Sequence, residues 1–335
     1  MQRTDWEDLG RDVRDLILAQ AGPVLAARTL PAGLNSQLAV VLHTATGQVF
    51  VKGLRTDHPG VVRQHREAMI NPHVLPLATQ LRWQAEGAGW NLLAFDYLPN
   101  ARHADYTPRS ADLPAVVHAL NQLQQIPCPD LPLKRAEQRW AAYLYDDAAA
   151  GLLAGDTLLH TDFNPLNVLM DSGTARIIDW AWPTRGAAFI DPACFLLRLM
   201  LSGHTAAQAQ AWAAQCDSWA STPDNAISAF ALACARLYAE IAQQDPQPWK
   251  QRLAAAAQKW AQHRPRARGA SLARLEAIIA LQRLTTRFPS LALDGEVTWN
   301  GRINLRGPAH LPISVSKQPV CSQRRCTSDT APKQP

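Results

Sequence analysis

Apolar positions along the chain change their period twice. Between residues 37 and 98 they come in short β-rich runs, 37–43 (QLAVVLH), 48–54 (QVFVKGL), 81–85 (LRWQA) and 90–98 (WNLLAFDYL), with glycine-containing turns at 44–47 and 86–89. Runs of this length bounded by turn residues predict strands, and their succession as hairpins predicts an antiparallel sheet. One helix interrupts them after Pro59, carrying Val62, His65, Arg66, Met69 and Ile70. Upstream, Trp6, Leu9, Val13, Leu16 and Ile17 recur at helical spacing behind Thr4 and Glu7, a pair with capping-box spacing, which predicts a helix over about 4–20.

Residues 99–109 (PNARHADYTPR) hold two prolines and no period, as a linker would. From Ser110 the period becomes helical, over 110–126, 137–153, 191–203, 205–220, 223–244, 247–263 and 270–286. Two strand-like runs, 166–170 (LNVLM) and 175–179 (ARIID), break the series, and Asp171-Ser172-Gly173 between them predicts a hairpin. The expected organisation is therefore a sheet-rich part over 1–98, a hinge over 99–109, a helical part over 110–290, a weakly patterned extension over 291–316 and a disordered tail over 317–335. No internal repeat recurs at a fixed period.

Composition narrows the function classes. The 335 residues carry a net charge of +5, of which the last 19 residues account for +3, so the patterned part is nearly neutral. The basic stripe with interleaved aromatics that marks a nucleic-acid binder is missing, and the cluster Arg264-Pro-Arg266-Ala-Arg268 reads as a solvated loop. The apolar run 193–201 is interrupted by Arg198 and the run 226–235 is about half of a membrane span, so no membrane partner is expected. The N-terminus alternates charges where a signal peptide needs an apolar region, which points to the cytoplasm. Six cysteines form no CxxC pair; four read as buried small hydrophobes, and Cys321 and Cys326 fall in the tail.

The chemistry concentrates in residues 158–180, LLHTDFNPLNVLMDSGTARIIDW. His160, Asp162, Asn164, Asn167 and Asp179 stand on or beside two short strands, where loops can aim several polar groups at one point. A carboxylate, an amide oxygen five residues on and a second carboxylate at a following strand end make a hard-oxygen set suited to magnesium (Mg²⁺), which leaves coordination positions for phosphate. Protein-kinase-like enzymes use an Asp to orient or deprotonate a hydroxyl, an Asn five residues later on the metal and a further Asp on the metal. Asp162, Asn167 and Asp179 keep that order. Lys52 lies inside the β-run VFVK, where a lysine is unfavourable unless its head finds solvent or a partner, and Glu67 follows on the only helix of that region.

With these residues in place, the chain resembles the aminoglycoside phosphotransferase family of small-molecule kinases from about residue 25 to 285. The motifs are His160-Thr-Asp162-Phe-Asn-Pro-Leu-Asn167, Ile178-Asp179-Trp180 and Asp191-Pro192-Ala193. The resemblance implies an α+β, bilobal protein-kinase-like fold: a small antiparallel-sheet N-lobe with one helix, and a larger, mainly helical C-lobe. It implies ATP and Mg²⁺ as cofactors and a small hydroxylated substrate. Asp162 would be the catalytic residue, Asn167 and Asp179 the metal ligands, and Lys52, paired with Glu67, the holder of the α- and β-phosphates. His160 and Asp191 would brace the catalytic loop. The family's glycine-rich loop is replaced by Pro31-Ala-Gly33-Leu-Asn35-Ser36, so backbone N–H groups and the Ser36 hydroxyl are expected over the triphosphate. Phe95 to Leu98, in the position of the family's hinge strand, are candidates for adenine contact. Trp180 and Trp182 are read as packing residues.

Two other functions share parts of this pattern. A catalytically silent kinase-like binding protein would usually lack one of Lys52, Asp162, Asn167 and Asp179. A metal-dependent hydrolase centred on His160 and Asp162 would need further histidines at helical spacing. Between Asp179 and Asp191 there is no APE-like segment or activation loop, so protein kinase activity is not expected. For the acceptor, residues 195–290 hold five carboxylates against eleven Lys and Arg, which favours a sugar, amino alcohol or neutral natural product at least as much as a polycationic antibiotic. The sequence leaves the oligomeric state open.

Overall fold

The computed structural model describes residues 3–31, 35–264, 271–299 and 308–315; the tail expected over 317–335 lies outside them. The first helix, α1 (Arg11–Ala21), starts after Gly10 rather than at Thr4. Thr4 makes no cap: its N–H donates to the Gln37 carbonyl and ties the segment to the sheet. Strands β1 (Val24–Thr29), β2 (Leu38–Thr44), β3 (Gly47–Arg55), β4 (Leu81–Gly87) and β5 (Trp90–Asp96) form one antiparallel sheet in the order β1-β2-β3-β5-β4. The sequence reading did not include β1, whose polar and apolar residues do not alternate and whose Leu25 is exposed.

The two-residue period of the strands decides which way Lys52 faces. Leu38, Val40, Leu42, Val51, Leu92 and Ala94 form one face of the sheet and pack with Leu9, Val13 and Ile17 around α1. Lys52, next to Val51, therefore projects from the opposite face, where α2 (Val61–Ile70) lies. The end of α2 and the turn after it, through Ile70, Val74 and Leu77, join a second and larger core that belongs to the helical region.

That region starts with β6 (Arg102–His103), a strand inside the expected linker. Then follow α3 (Leu113–Gln124), β7 (Lys134–Arg135), α4 (Ala136–Arg139), α5 (Asp147–Gly151) and β8 (Thr157–Leu159). The helix expected over 137–153 is broken: buried Trp140 ends α4, Leu144 is extended, and Asp146 caps α5 by accepting from the Ala149 N–H at 2.8 Å. β9 (Val168–Asp171) and β10 (Thr174–Ile177) form the expected hairpin. Its two turn residues, Ser172 (φ 49°) and Gly173 (φ 82°), are both left-handed, as a tight hairpin turn requires. β6 adds to β9, and β11 (Thr184–Gly186) joins β7 and β8.

The remaining helices are α6 (Ile190–Leu201), α7 (Ala206–Ala213), α8 (Asp217–Ser221), α9 (Asp224–Gln244) and α10 (Pro248–His263). The expected 205–220 helix is split between α7 and α8, with Cys216 extended between them. The chain divides into two compact units, Met1–Arg266 and Ala267–Pro335. The helix expected over 270–286 is α11 (Ser271–Arg287) and falls in the second unit, with two small antiparallel pairs, β12 (Leu291–Leu293) with β15 (Ile313–Val315) and β13 (Thr298–Trp299) with β14 (Pro308–His310). Among the described residues no helix is long and apolar enough to cross a membrane.

Candidate active site

Three charges from three elements meet at Lys52. Its Nζ lies 2.5 Å from Glu67 Oε2 on α2 and 3.1 Å from Asp179 Oδ1, just past β10, and 5.6 Å from the centroid of the Phe95 ring on β5. Lys52 and Glu67 are both buried. Burial alone would lower the Lys52 pKa; the charges of Asp179 and Glu67 outweigh it and raise the pKa, so the ammonium is held charged. Burial works against the Asp179 carboxylate too, yet Lys52, reinforced by His160 and an Asn35 hydrogen bond, holds it below the usual range. For Glu67, burial pushes the pKa up and Lys52 opposes it.

The loop carrying Asp162 is built on β8 and braced by α6. Asp191, in the first turn of α6, accepts the His160 N–H and the Thr161 N–H, each at 2.8 Å. Its carboxyl is buried, and burial pushes its pKa up to about 6 against the pull of these donors. Thr161 has φ 67°, strained for a β-branched residue. Its hydroxyl accepts from Arg139 at 2.7 Å and donates to the Trp182 carbonyl at 3.1 Å, so the strain is held by named bonds. His160 takes two partners: Nδ1 accepts the Asp162 N–H at 3.2 Å, which leaves Nε2 as the donor to the Ile178 carbonyl at 3.0 Å. One imidazole thus ties the Asp162 loop to the residue before Asp179. Its ring packs edge-on to Phe163 and to Trp180, whose own N–H donates to the Ile177 carbonyl.

Asn167 closes the loop. Its Nδ2 donates to the Asp162 carbonyl at 3.0 Å and to Asp162 Oδ2 at 3.1 Å, while its own carbonyl accepts the Ile178 N–H at 2.8 Å. Asn164 accepts the Leu166 N–H and caps the short turn 165–167, a local role. The amide oxygen of Asn167 makes no hydrogen bond among the described residues. Asp179 has φ 63°, a left-handed kink that turns the chain out of the hairpin.

Of the other sequence candidates, Phe95 is buried in β5 and lies under Lys52. Leu98 is half-buried beyond the strand, and its carbonyl accepts the Ala101 N–H at 3.1 Å. The Ser36 carbonyl accepts from Arg3 at 3.5 Å; it is the neighbouring Asn35 whose Nδ2 reaches Asp179 Oδ2, at 3.5 Å. Two site residues were missed. Arg198 on α6 lies 2.8 Å from Asp162 Oδ1, with its side chain only 13% exposed. Arg139 holds the Thr161 and Thr184 hydroxyls. The signal for Arg198 was visible as the one cation inside an apolar helical run, a position that demands a partner.

Neither protein-family comparison nor comparison with curated proteins finds a match for the sequence. Solved structures do match. The chain is similar to choline kinase LicA from Streptococcus pneumoniae, with a TM-score of 0.52 at 14% identity over 75% of this chain and 98% of that one. It is similar to the same kinase in complex with AMP, with a TM-score of 0.50 at 12% identity over 76% and 99%. A thermostable mutant of aminoglycoside phosphotransferase APH(4)-Ia gives a TM-score of 0.50 at 16% identity over 74% and 99%. The fold is therefore the α+β, protein-kinase-like fold expected from the motifs, of the aminoglycoside-phosphotransferase type.

Proposed function

We propose that the protein is an ATP-dependent phosphotransferase that moves the γ-phosphoryl group to a hydroxyl of a small molecule. The observation that carries this reading is the meeting of Lys52, Glu67 and Asp179, one residue from each of three elements, beside a loop in which Asn167 bonds Asp162. The structural similarity to a choline kinase, and to that kinase with AMP, supports it. In this reading residues 1–98 bind the nucleotide and the helical region over 110–290 carries the catalytic loop and the acceptor pocket.

Lys52, fixed by Glu67, places its ammonium at the α- and β-phosphates, and Phe95 to Leu98, with Asn35 and Ser36, border the nucleotide; residues 32–34 of the expected phosphate loop lie outside the described residues. Asp162 accepts a hydrogen bond from the acceptor hydroxyl and aims its oxygen at the γ-phosphorus; as the new P–O bond forms, the bond to the β-phosphate oxygen breaks and the hydroxyl proton is released toward Asp162. The donor set fits a magnesium ion: the Asp179 carboxylate and the unengaged Asn167 amide oxygen are hard oxygens on neighbouring chain segments. A magnesium ion held by these two oxygens would take its other ligands from phosphate and water. When bound, it neutralises charge on the β- and γ-phosphates.

A silent nucleotide-binding protein is the second reading, and the complete set of Lys52, Asp162, Asn167 and Asp179 speaks against it. ATP consumption across a panel of sugars, amino alcohols and hydroxylated natural products, with mass spectrometry of any product heavier by one phosphate, tests the proposal. A panel member phosphorylated in the parent and not in Asp162→Asn supports it; ATP bound with no product from any acceptor class supports the silent reading.

A further inference from the structure

A second concentration of charge lies beside the site, around Trp182. Four cations approach its ring: Arg63 at 5.1 Å, Arg139 at 5.4 Å, Lys134 at 5.7 Å and Arg66 at 5.8 Å from the centroid. Arg63 and Arg66 are three apart on one face of α2, whereas Lys134 and Arg139 come from β7 and α4 of the helical region. An indole has two faces, so its quadrupole cannot serve four cations equally well. None of the four makes an ion pair among the described residues. Arg139 is occupied by the hydroxyls of Thr161 and Thr184 and by the Trp182 carbonyl, all neutral, and is also stacked 4.6 Å over Trp140. Among the described residues the side chains of Arg63, Arg66 and Lys134 have no partner but the ring.

Gathering like charges this closely is unfavourable unless a counter-charge completes the set. Cations converging from two regions of the fold on one half-buried ring suit a ligand with several oxygens and more than one negative charge, which a phosphate group supplies and a lone carboxylate does not. We propose that Arg63, Arg66 and Lys134, gathered around Trp182, form a binding site for a phosphate group, either inorganic phosphate or the phosphate of a small monoester. A ligand there bridges α2 and β7. Nothing in this inference depends on phosphotransfer, so it stands or falls separately from the proposed activity.

Titration calorimetry of the full chain with inorganic phosphate, and in parallel with glycerol phosphate, against sodium chloride at matched ionic strength, tests it. Saturable binding is expected with at least one probe and not with chloride, and the tighter of the two identifies the source. Lys134→Gln, at an exposed position with no packing role, should weaken binding roughly tenfold, and Arg63→Gln combined with Arg66→Gln more than that, whereas Lys52→Met should leave this affinity unchanged. Absence of saturable binding, an affinity untouched by Lys134→Gln, or loss of binding in a folded Lys52→Met variant would each overturn the proposal.

Discussion

Arg198 Nη2 stands 2.8 Å from Asp162 Oδ1, so the carboxylate of the candidate catalytic loop is also the counter-ion of a nearly buried guanidinium. Burial alone would lower the Arg198 pKa, and Asp162 more than restores it. The pair separates two substitutions that are usually treated alike. Asp162→Ala removes the counter-charge and an acceptor for Asn167, and should cost about 1–3 kcal/mol of stability, less than a fully buried pair because Asp162 is 34% exposed. Asp162→Asn keeps an oxygen for Arg198 and should stay closer to the parent. Both should lose phosphoryl transfer by roughly 10²–10⁴-fold. Urea denaturation read beside turnover checks this, and near-parental turnover in Asp162→Asn would remove Asp162 from the mechanism.

Asp179→Asn is the informative change at the carboxylate proposed to hold the metal, because asparagine tolerates the left-handed backbone (φ 63°) that alanine would strain. It removes a charge from Lys52 and from any bound cation. Affinity for Mg²⁺·ATP should fall at least about tenfold, roughly 1.4 kcal/mol, with acceptor affinity little changed. Calorimetric titration decides the matter; an unaltered nucleotide affinity means that another residue holds the metal.

Asp191 makes a pH-dependent contribution whose sign follows from burial. Its carboxyl is raised from 3.8 to about 6, so between these values the folded protein holds a proton that the unfolded chain has released. The stability tied to this proton is fully present below about pH 4 and is lost as the pH rises through 6, for a total of about 3 kcal/mol. Asp191→Asn, which has no proton to lose, should therefore sit furthest below the parent at pH 4 and close the gap by pH 7. Denaturation midpoints of both proteins across that range test it, and a gap that widens with pH means that the two backbone donors outweigh burial.

Gly155 leads into β8 where two backbones touch. A Cβ there would meet the Gly186 carbonyl oxygen at 2.6 Å and the Ala187 Cα at 2.8 Å, none of which can swing away as a side chain would. Gly155→Ala should lower stability by about 1–3 kcal/mol. Gly151→Ala is the control, since a Cβ at that position meets nothing within 4 Å. Thermal melts of the two variants should separate, and equal midpoints would show that the β8–β11 contact yields easily.

The antiparallel sheet was legible because its short apolar runs follow one another across glycine-containing turns, and Lys52 stood out because a lysine inside such a run needs solvent or a partner. The hairpin was legible because Ser172 and Gly173 accept the left-handed conformation that a two-residue turn demands. What the sequence hid has a common physical cause. β1 has an irregular burial pattern, and the helices expected over 137–153 and 205–220 are interrupted by tertiary packing of Trp140 and by the extended Cys216, which local propensity does not encode. The candidate residues read from spacing, Asp162, Asn167 and Asp179, lie within one short segment, and His160 bonds across it. Arg198, Arg139 and Asn35 reach the site from distant parts of the chain, and only the fold connects them to it.

The strand hidden in the expected linker changes how the sheet can move against the helices. Arg102 and His103 pair with Met170 and Leu169, the Ala104 N–H donates to the Val168 carbonyl, and Arg102 grips Asp112 with two hydrogen bonds. Most of the segment is thereby riveted to the hairpin that carries the site. What stays free of the hairpin is Leu98–Ala101, a single turn closed by its own hydrogen bond, so any rotation of the sheet would turn there on a short pivot and not on a tether.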